Sequence, residues 1–154
     1  MNQLYLKIYN NLIKLTRNKN LYNTNKDDTF YDRMIILFFH LAFLLREFKN
    51  FERKEDMQNF FDYFIKQVEL SIREIGYGDA TINKKMKDYV NLLFSIIDKI
   101  DKWESNNIDQ KKEILKKYIE DNNNYDKYVE YFDKYRIFLT KNTFKNLSKD
   151  IITQ

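Results

Sequence analysis

Apolar residues recur along this chain every three or four positions, and no stretch alternates apolar and polar long enough to make a convincing strand. From about Asn2 to Thr16, Leu4, Ile8, Leu12 and Leu15 fall on one face of a first helix. Residues Arg17 to Lys26 are polar and rich in Asn, and read as a loop. Asp28 or Thr29 caps a second helix that runs to about Lys49, because either side-chain oxygen accepts from free backbone N–H groups. That helix carries MIILFFHLAFLL from Met34 to Leu45 and is apolar on nearly every side, which suits the middle of a bundle. A third helix from near Lys54 to Ile75 carries a stripe from Met57 through Phe60, Phe61, Phe64, Ile65, Val68 and Ile72 to Ile75. A fourth, from after Asp79 to about Trp103, turns Ile82, Met86, Tyr89, Val90, Leu93, Ile97 and Ile100 inward. A fifth covers about Ile108 to Asp121, and Asn122 to Asn124 break it. A sixth covers Tyr125 to about Lys141, and a tail with Phe144, Leu147 and Ile151 adds a short helix. The pattern predicts an all-α, single-domain bundle of about six helices over residues 1–154, without repeat or boundary.

The helix breakers are concentrated in one place. The chain has two glycines and no proline, and both glycines lie in REIGYGDATINKK, residues 73–85. Gly76 falls where the third helix stops, a position that often takes the left-handed conformation that glycine adopts without a Cβ penalty. Asp79 falls where the fourth helix starts, and is read as its N-cap and as a negative charge at the positive end of the helix dipole. Gly76-Tyr77-Gly78-Asp79 is therefore a tight helix–helix corner. A single glycine would end a helix, so Gly78 is read as a place of close backbone approach to another helix or to a partner.

Composition narrows the chemistry. Aromatic residues make up 17% of the chain, which argues against disorder. Lys and Arg total 27 against 23 Asp and Glu, giving +4. This mild excess fits a weak attraction to RNA or anionic lipid, but charges of mixed sign along the helices favour a plain solvated surface. The lack of cysteine excludes disulfides, thiolate zinc sites and cysteine nucleophiles. MNQLYLKIYNNLIKL at the start does not read as a secretory signal. The apolar run Met34–Leu45 is about half of the ~20 residues that cross a bilayer.

Catalytic motifs are missing. Gly76-Tyr77-Gly78 has neither the third glycine of a dinucleotide fingerprint nor the lysine-serine ending of a phosphate loop. His40 is the lone histidine, so no His-x-x-x-His metal pair exists and two histidines cannot hold a heme. One axial ligand remains open, but an inward-facing histidine bonded to a neighbour is the commoner arrangement. Tyr125, Tyr128, Tyr131 and Tyr135, with Lys127 and Lys134, could stack on single-stranded nucleic acid, yet their spacing also makes a packing face, which is favoured. The reading is of a protein that is not an enzyme and carries no cofactor, no metal and no specific nucleic acid.

SIREIGYGDATINKKMKDY, residues 71–89, resembles the signature of the ubiquinol–cytochrome c chaperone family. Arg73, Glu74, Gly76, Gly78, Asp79, Lys84, Lys85 and Met86 stand in step with it, while Ile75 and Tyr77 replace the usual Met and Val. A second block, DDTFYDRMIILFFHLAFLLR at residues 27–46, is similar to the family through Asp28, Thr29, Arg33 and His40. It departs at Asp27, Asp32 and Phe39, where Pro, Gly and Leu are usual. The likeness is good over about Asn2 to Trp103 and loose beyond.

The resemblance implies assembly rather than catalysis. Its mitochondrial members help newly made cytochrome b enter the ubiquinol–cytochrome c reductase (bc1, complex III) complex, working at the ribosome with a small helper protein. This chain shows no targeting leader and looks like a bacterial member, cytoplasmic or peripheral at the inner membrane. The implied partner is a protein client, cytochrome b or another bc1 subunit. The alternative is a general helical adaptor at the ribosome or inner-membrane surface. Arg33, Arg73, Lys84 and Lys85 are the cations expected to meet an acidic partner surface or ribosomal RNA, the alternative being that Arg73 and Glu74 only anchor the corner to His40 and its helix.

Overall fold

The computed structural model describes residues 2–22, 29–120 and 125–149. It is an all-α bundle, 82% helical. Among the described residues there are six α-helices: α1 (Asn2–Thr16), α2 (Phe30–Phe48), α3 (Lys54–Ile75), α4 (Asp79–Ile100), α5 (Ile108–Lys116) and α6 (Tyr125–Thr140). Short 3-10 turns follow α1 (Lys19–Leu21), α4 (Trp103–Ser105) and α6 (Lys145–Ser148).

The apolar run places α2 where its composition demands. Every side chain from Met34 to Leu44 is buried, and α1, α4 and α6 all pack against this helix. On its α6 side, Phe39 and Phe43 meet Phe132 with ring centroids 5.4 and 5.5 Å apart. The first pair is tilted and the second stacked, and aromatic pairs of this sort add about 0.5–1.5 kcal/mol each beyond the area that they bury. Thr29 caps α2: its Oγ1 accepts from Asp32 N, while Thr29 N donates to the Asp32 carboxylate. The other expected cap, Asp28, lies outside the described residues.

Several expectations are corrected. The loop after α1 contains a turn that buries Leu21, an apolar side chain isolated in a polar run. Helix α4 ends at Ile100 rather than near Trp103. Trp103 leaves the helical path to pack edge-on against Phe43, and its Nε1 donates to Asp133 at 2.7 Å. Helix α5 stops at Lys116, short of Asp121, because the backbone tightens so that Tyr118 N and Ile119 N both reach Leu115 O. That turn presses the Tyr118 ring against Phe39 and brings its hydroxyl to Ser95. Ile75 is exposed although it ends the α3 stripe, while Ile96, absent from the expected set, is buried in α4.

The tail closes on the first helix. Phe144 inserts between Phe48 and Phe60. Asn11, buried in α1, uses its amide to donate to Leu147 O at 2.8 Å and to Lys149 O at 3.0 Å. Ile151 lies outside the described residues.

Candidate functional site

The corner between α3 and α4 is built on backbone geometry. Gly76 takes φ 103, left-handed, and its N–H returns to Arg73 O. Gly78 sits at the N-cap position with φ −74 and ψ 163, an extended conformation open to any residue. A Cβ added at Gly78 would meet nothing within 4 Å, so among the described residues none makes the close approach expected there. Asp79 is not the cap; it is the first residue of α4 and makes no capping bond. Its carboxylate is drawn sideways to Arg73, whose Nη1 donates to Oδ1 at 2.8 Å. Glu69 stands 3.7 Å from Nε of the same guanidinium. The charge of Asp79 still favours the helix N-terminus.

The rest of the signature gathers around this corner. Arg73, Glu74, Asp79 and Lys84 are exposed, and the Lys85 ammonium lies 4.7 Å from the centre of the half-exposed Tyr77 ring. The start of α2 is at the same end of the bundle: burial, then the neighbouring hydroxyls of Tyr77 and Tyr31, push the Tyr89 phenol upward. Beside it an open cavity of about 150 Å³ runs between α1, α2 and α3. Tyr9, Ile13, Met34 and Val68 line it, and Arg17 and Arg33 stand at it. The structure thus brings Thr29, Arg33, Arg73, Glu74, Gly76, Gly78, Asp79, Lys84 and Lys85 to one end of the bundle, and leaves His40 apart.

The family model described as Ubiquinol-cytochrome C chaperone matches residues 23–130, from the segment before α2 into α6. The chain belongs to the ubiquinol-cytochrome C chaperone family. The match takes in both signature blocks and extends beyond Trp103, past the part where the motifs alone carried the likeness. No curated protein and no solved structure matches the chain. The family's role is chaperoning the assembly of the bc1 complex, with a protein as client.

His40 plays a structural part in this chaperone. It is fully buried between α2 and α6, ringed by Tyr131, Phe132 and Tyr135. Nδ1 donates to Ile36 O at 2.8 Å, so Nε2 carries no proton and accepts from the Tyr131 hydroxyl at 2.6 Å. Tyr135 donates to the His40 carbonyl at 2.9 Å. Burial lowers the imidazole pKa to about 4, so the ring is neutral near pH 7. Both ring nitrogens are engaged, and neither is presented to a metal or a heme. Among the described residues no group of three His, Asp or Glu side chains could hold a metal ion. None of the described helices is long and apolar enough to cross a membrane.

At the opposite end, the chaperone has a second concave surface that motif reading missed. Leu45, Met57, Phe61, Phe94 and Ile97 line an open groove of about 290 Å³ between the end of α2, the start of α3 and the end of α4. Phe94 is 52% exposed and stacks on Phe61 with centroids 5.6 Å apart and planes 18° apart. Arg46, Lys49, Lys54 and Asp101 stand around it. Phe61 was legible as part of the α3 stripe; its partnership with Phe94 depends on how two helices are rotated, which periodicity does not encode.

Proposed function

We propose that this chain is an assembly chaperone for newly made cytochrome b, holding an apolar helical segment of that client in the groove between α3 and α4. The observation that carries the reading is the exposed Phe94 ring, stacked on the partly buried Phe61 beside Met57. Large apolar side chains left in water mark interaction surfaces. Aromatic and Met side chains suit a client whose sequence varies along its length, because they adapt to many shapes. The lysines at the rim would lie along the polar edge of such a segment. At the other end, Arg33, Arg73, Lys84 and Lys85 form the surface for an acidic helper protein or for the ribosome. The chaperone would act in the cytoplasm or at the inner face of the membrane that receives the client.

A photoreactive amino acid at position 94 tests this in native cells. Cytochrome b should be the dominant crosslinked product. Phe94→Glu should cut its recovery at least tenfold with little loss of stability, since this ring is half in water. Crosslinks to ribosomal or unrelated proteins without cytochrome b would overturn the client assignment and favour a general adaptor.

A further inference from the structure

The carboxylates of this chain are not spread evenly. Residues 1–26 contain five cations, Lys7, Lys14, Arg17, Lys19 and Lys26, and no Asp or Glu. Residues 134–149 contain five more, Lys134, Arg136, Lys141, Lys145 and Lys149, again with no Asp or Glu. With 27 cations and 23 carboxylates in all, the remainder of the chain is net negative. The mixing of sign expected along every helix therefore fails at α1.

The fold brings these two stretches together. The Asn11 amide holds Leu147 O and Lys149 O against α1. Lys7, Asn10, Lys14, Ser148 and Lys149 then line an open groove of about 430 Å³. The chain continues through Arg17 into the 3-10 turn, where Asn18, Lys19, Asn20 and Tyr22 face α6 across a second groove of about 510 Å³. Lys127, Tyr131 and Lys134 form its far wall. Among the described residues, the two grooves hold one carboxylate, Glu130, and it is paired with Lys134 at 3.1 Å.

The geometry points to this band as a docking surface for the phosphodiester backbone of single-stranded RNA, bound without sequence preference. Lys7, Lys14, Lys19 and Lys149 supply the charge that neutralises phosphates and releases their counterions. Asparagine amides supply donors for phosphate and sugar oxygens. The half-buried Tyr22 and Tyr131 rings at the second groove are the kind of surface on which bases stack. A bilayer fits less well. A helix lying in a lipid interface needs its apolar face free, and the face of α1, with Ile8, Leu12 and Leu15, is spent in the core. This inference is independent of the α3–α4 groove and of the client held there.

The test uses the full chain and a fluorescent 20-nucleotide oligouridylate, read by anisotropy. Affinity should fall roughly 50-fold between 50 and 200 mM salt, the drop expected when about four phosphates are neutralised on a single strand. Lys7→Glu with Lys14→Glu should weaken binding more than tenfold. Lys99→Glu with Lys102→Glu, an equal change in net charge at exposed positions elsewhere, should weaken it less than threefold. Equal losses in the two double variants would overturn the proposal, as would the absence of salt-dependent binding. Binding to vesicles containing phosphatidylserine, lost in the Lys7/Lys14 variant while oligouridylate stays unbound, would assign the band to a membrane and overturn it too.

Discussion

The hydroxyl of Tyr131 on α6 lies 2.6 Å from Nε2 of His40 on α2, across 91 residues of sequence. With the bond from Tyr135 to the His40 carbonyl, it ties the central helix to the last one among apolar rings. The imidazole must be neutral and of one tautomer to keep both its bonds, so the interface is tuned to a protonation state.

Stability should therefore depend on pH through His40. The folded protein lowers its pKa from 6.5 to about 4, because burial penalises the charged ring. The unfolded chain binds a proton more readily, so this contribution is fully present above pH 6.5 and is lost as pH falls from 6.5 towards 4. Its size is on the order of 3 kcal/mol. Urea unfolding midpoints from pH 7.5 to 4 should fall more steeply for the wild type than for His40→Gln, which cannot titrate there. Parallel curves would sink this account.

The two tyrosines around His40 should differ in their cost. Tyr131→Phe removes the donor to Nε2 and leaves a buried acceptor unpaired, at about 1–3 kcal/mol. Tyr135→Phe removes a donor to the His40 carbonyl, an oxygen with a second lone pair for the helix, so its cost is nearer 0.5–1.5 kcal/mol. Chemical denaturation of both variants at pH 7 checks the ranking, and a larger loss for Tyr135→Phe would contradict it.

The two glycines should behave oppositely. Gly76→Ala places a Cβ on a residue at φ 103 and costs about 1–2 kcal/mol, even though no atom lies within 4 Å to clash. Gly78→Ala meets neither strain nor clash and should be neutral or stabilising by up to about 1 kcal/mol, because it restricts the unfolded chain. Thermal melts separate the two. A Gly78→Ala variant that stays stable but loses a binding partner would show that the partner, rather than the fold, needs the bare backbone.

Removing charge at the corner should leave the fold nearly intact. Arg73 and Asp79 are exposed, and pairs of this kind rarely exceed about 1 kcal/mol. Asp79→Asn should melt within a few degrees of the wild type. Arg73→Glu should likewise stay folded while co-purification of any partner that reads the signature end declines. A variant that unfolds would reassign the pair to structure.

Much of the bundle was legible because burial repeats with the helical period. The approximate bounds read for α1 and α3 agree with Asn2–Thr16 and Lys54–Ile75, and the apolar run of α2 foretold its central place. Ends set by tertiary contact were not legible: Trp103 leaves α4 for Asp133, and α5 stops early to seat Tyr118 against Phe39. Leu21 gave no sign of burial, since one apolar residue among polar ones has no period. At the candidate site, the Gly76 conformation was readable from residue type alone. Asp79 was misread because its rival partner, Arg73, becomes a neighbour only once the corner has turned. The basic band escaped notice for a similar reason, as its two acid-free stretches are more than a hundred residues apart and meet through Asn11.

That amide has a consequence for the timing of folding. Helix α1 leaves the ribosome early, but its buried Asn11 has no partner until residues 147 and 149 have been synthesised. Closing a contact over so long a span is slow and entropically costly, so it belongs among the late events. During translation, then, the first helix should remain loosely attached, and the bundle should lock when the segment after α6 emerges to clasp it.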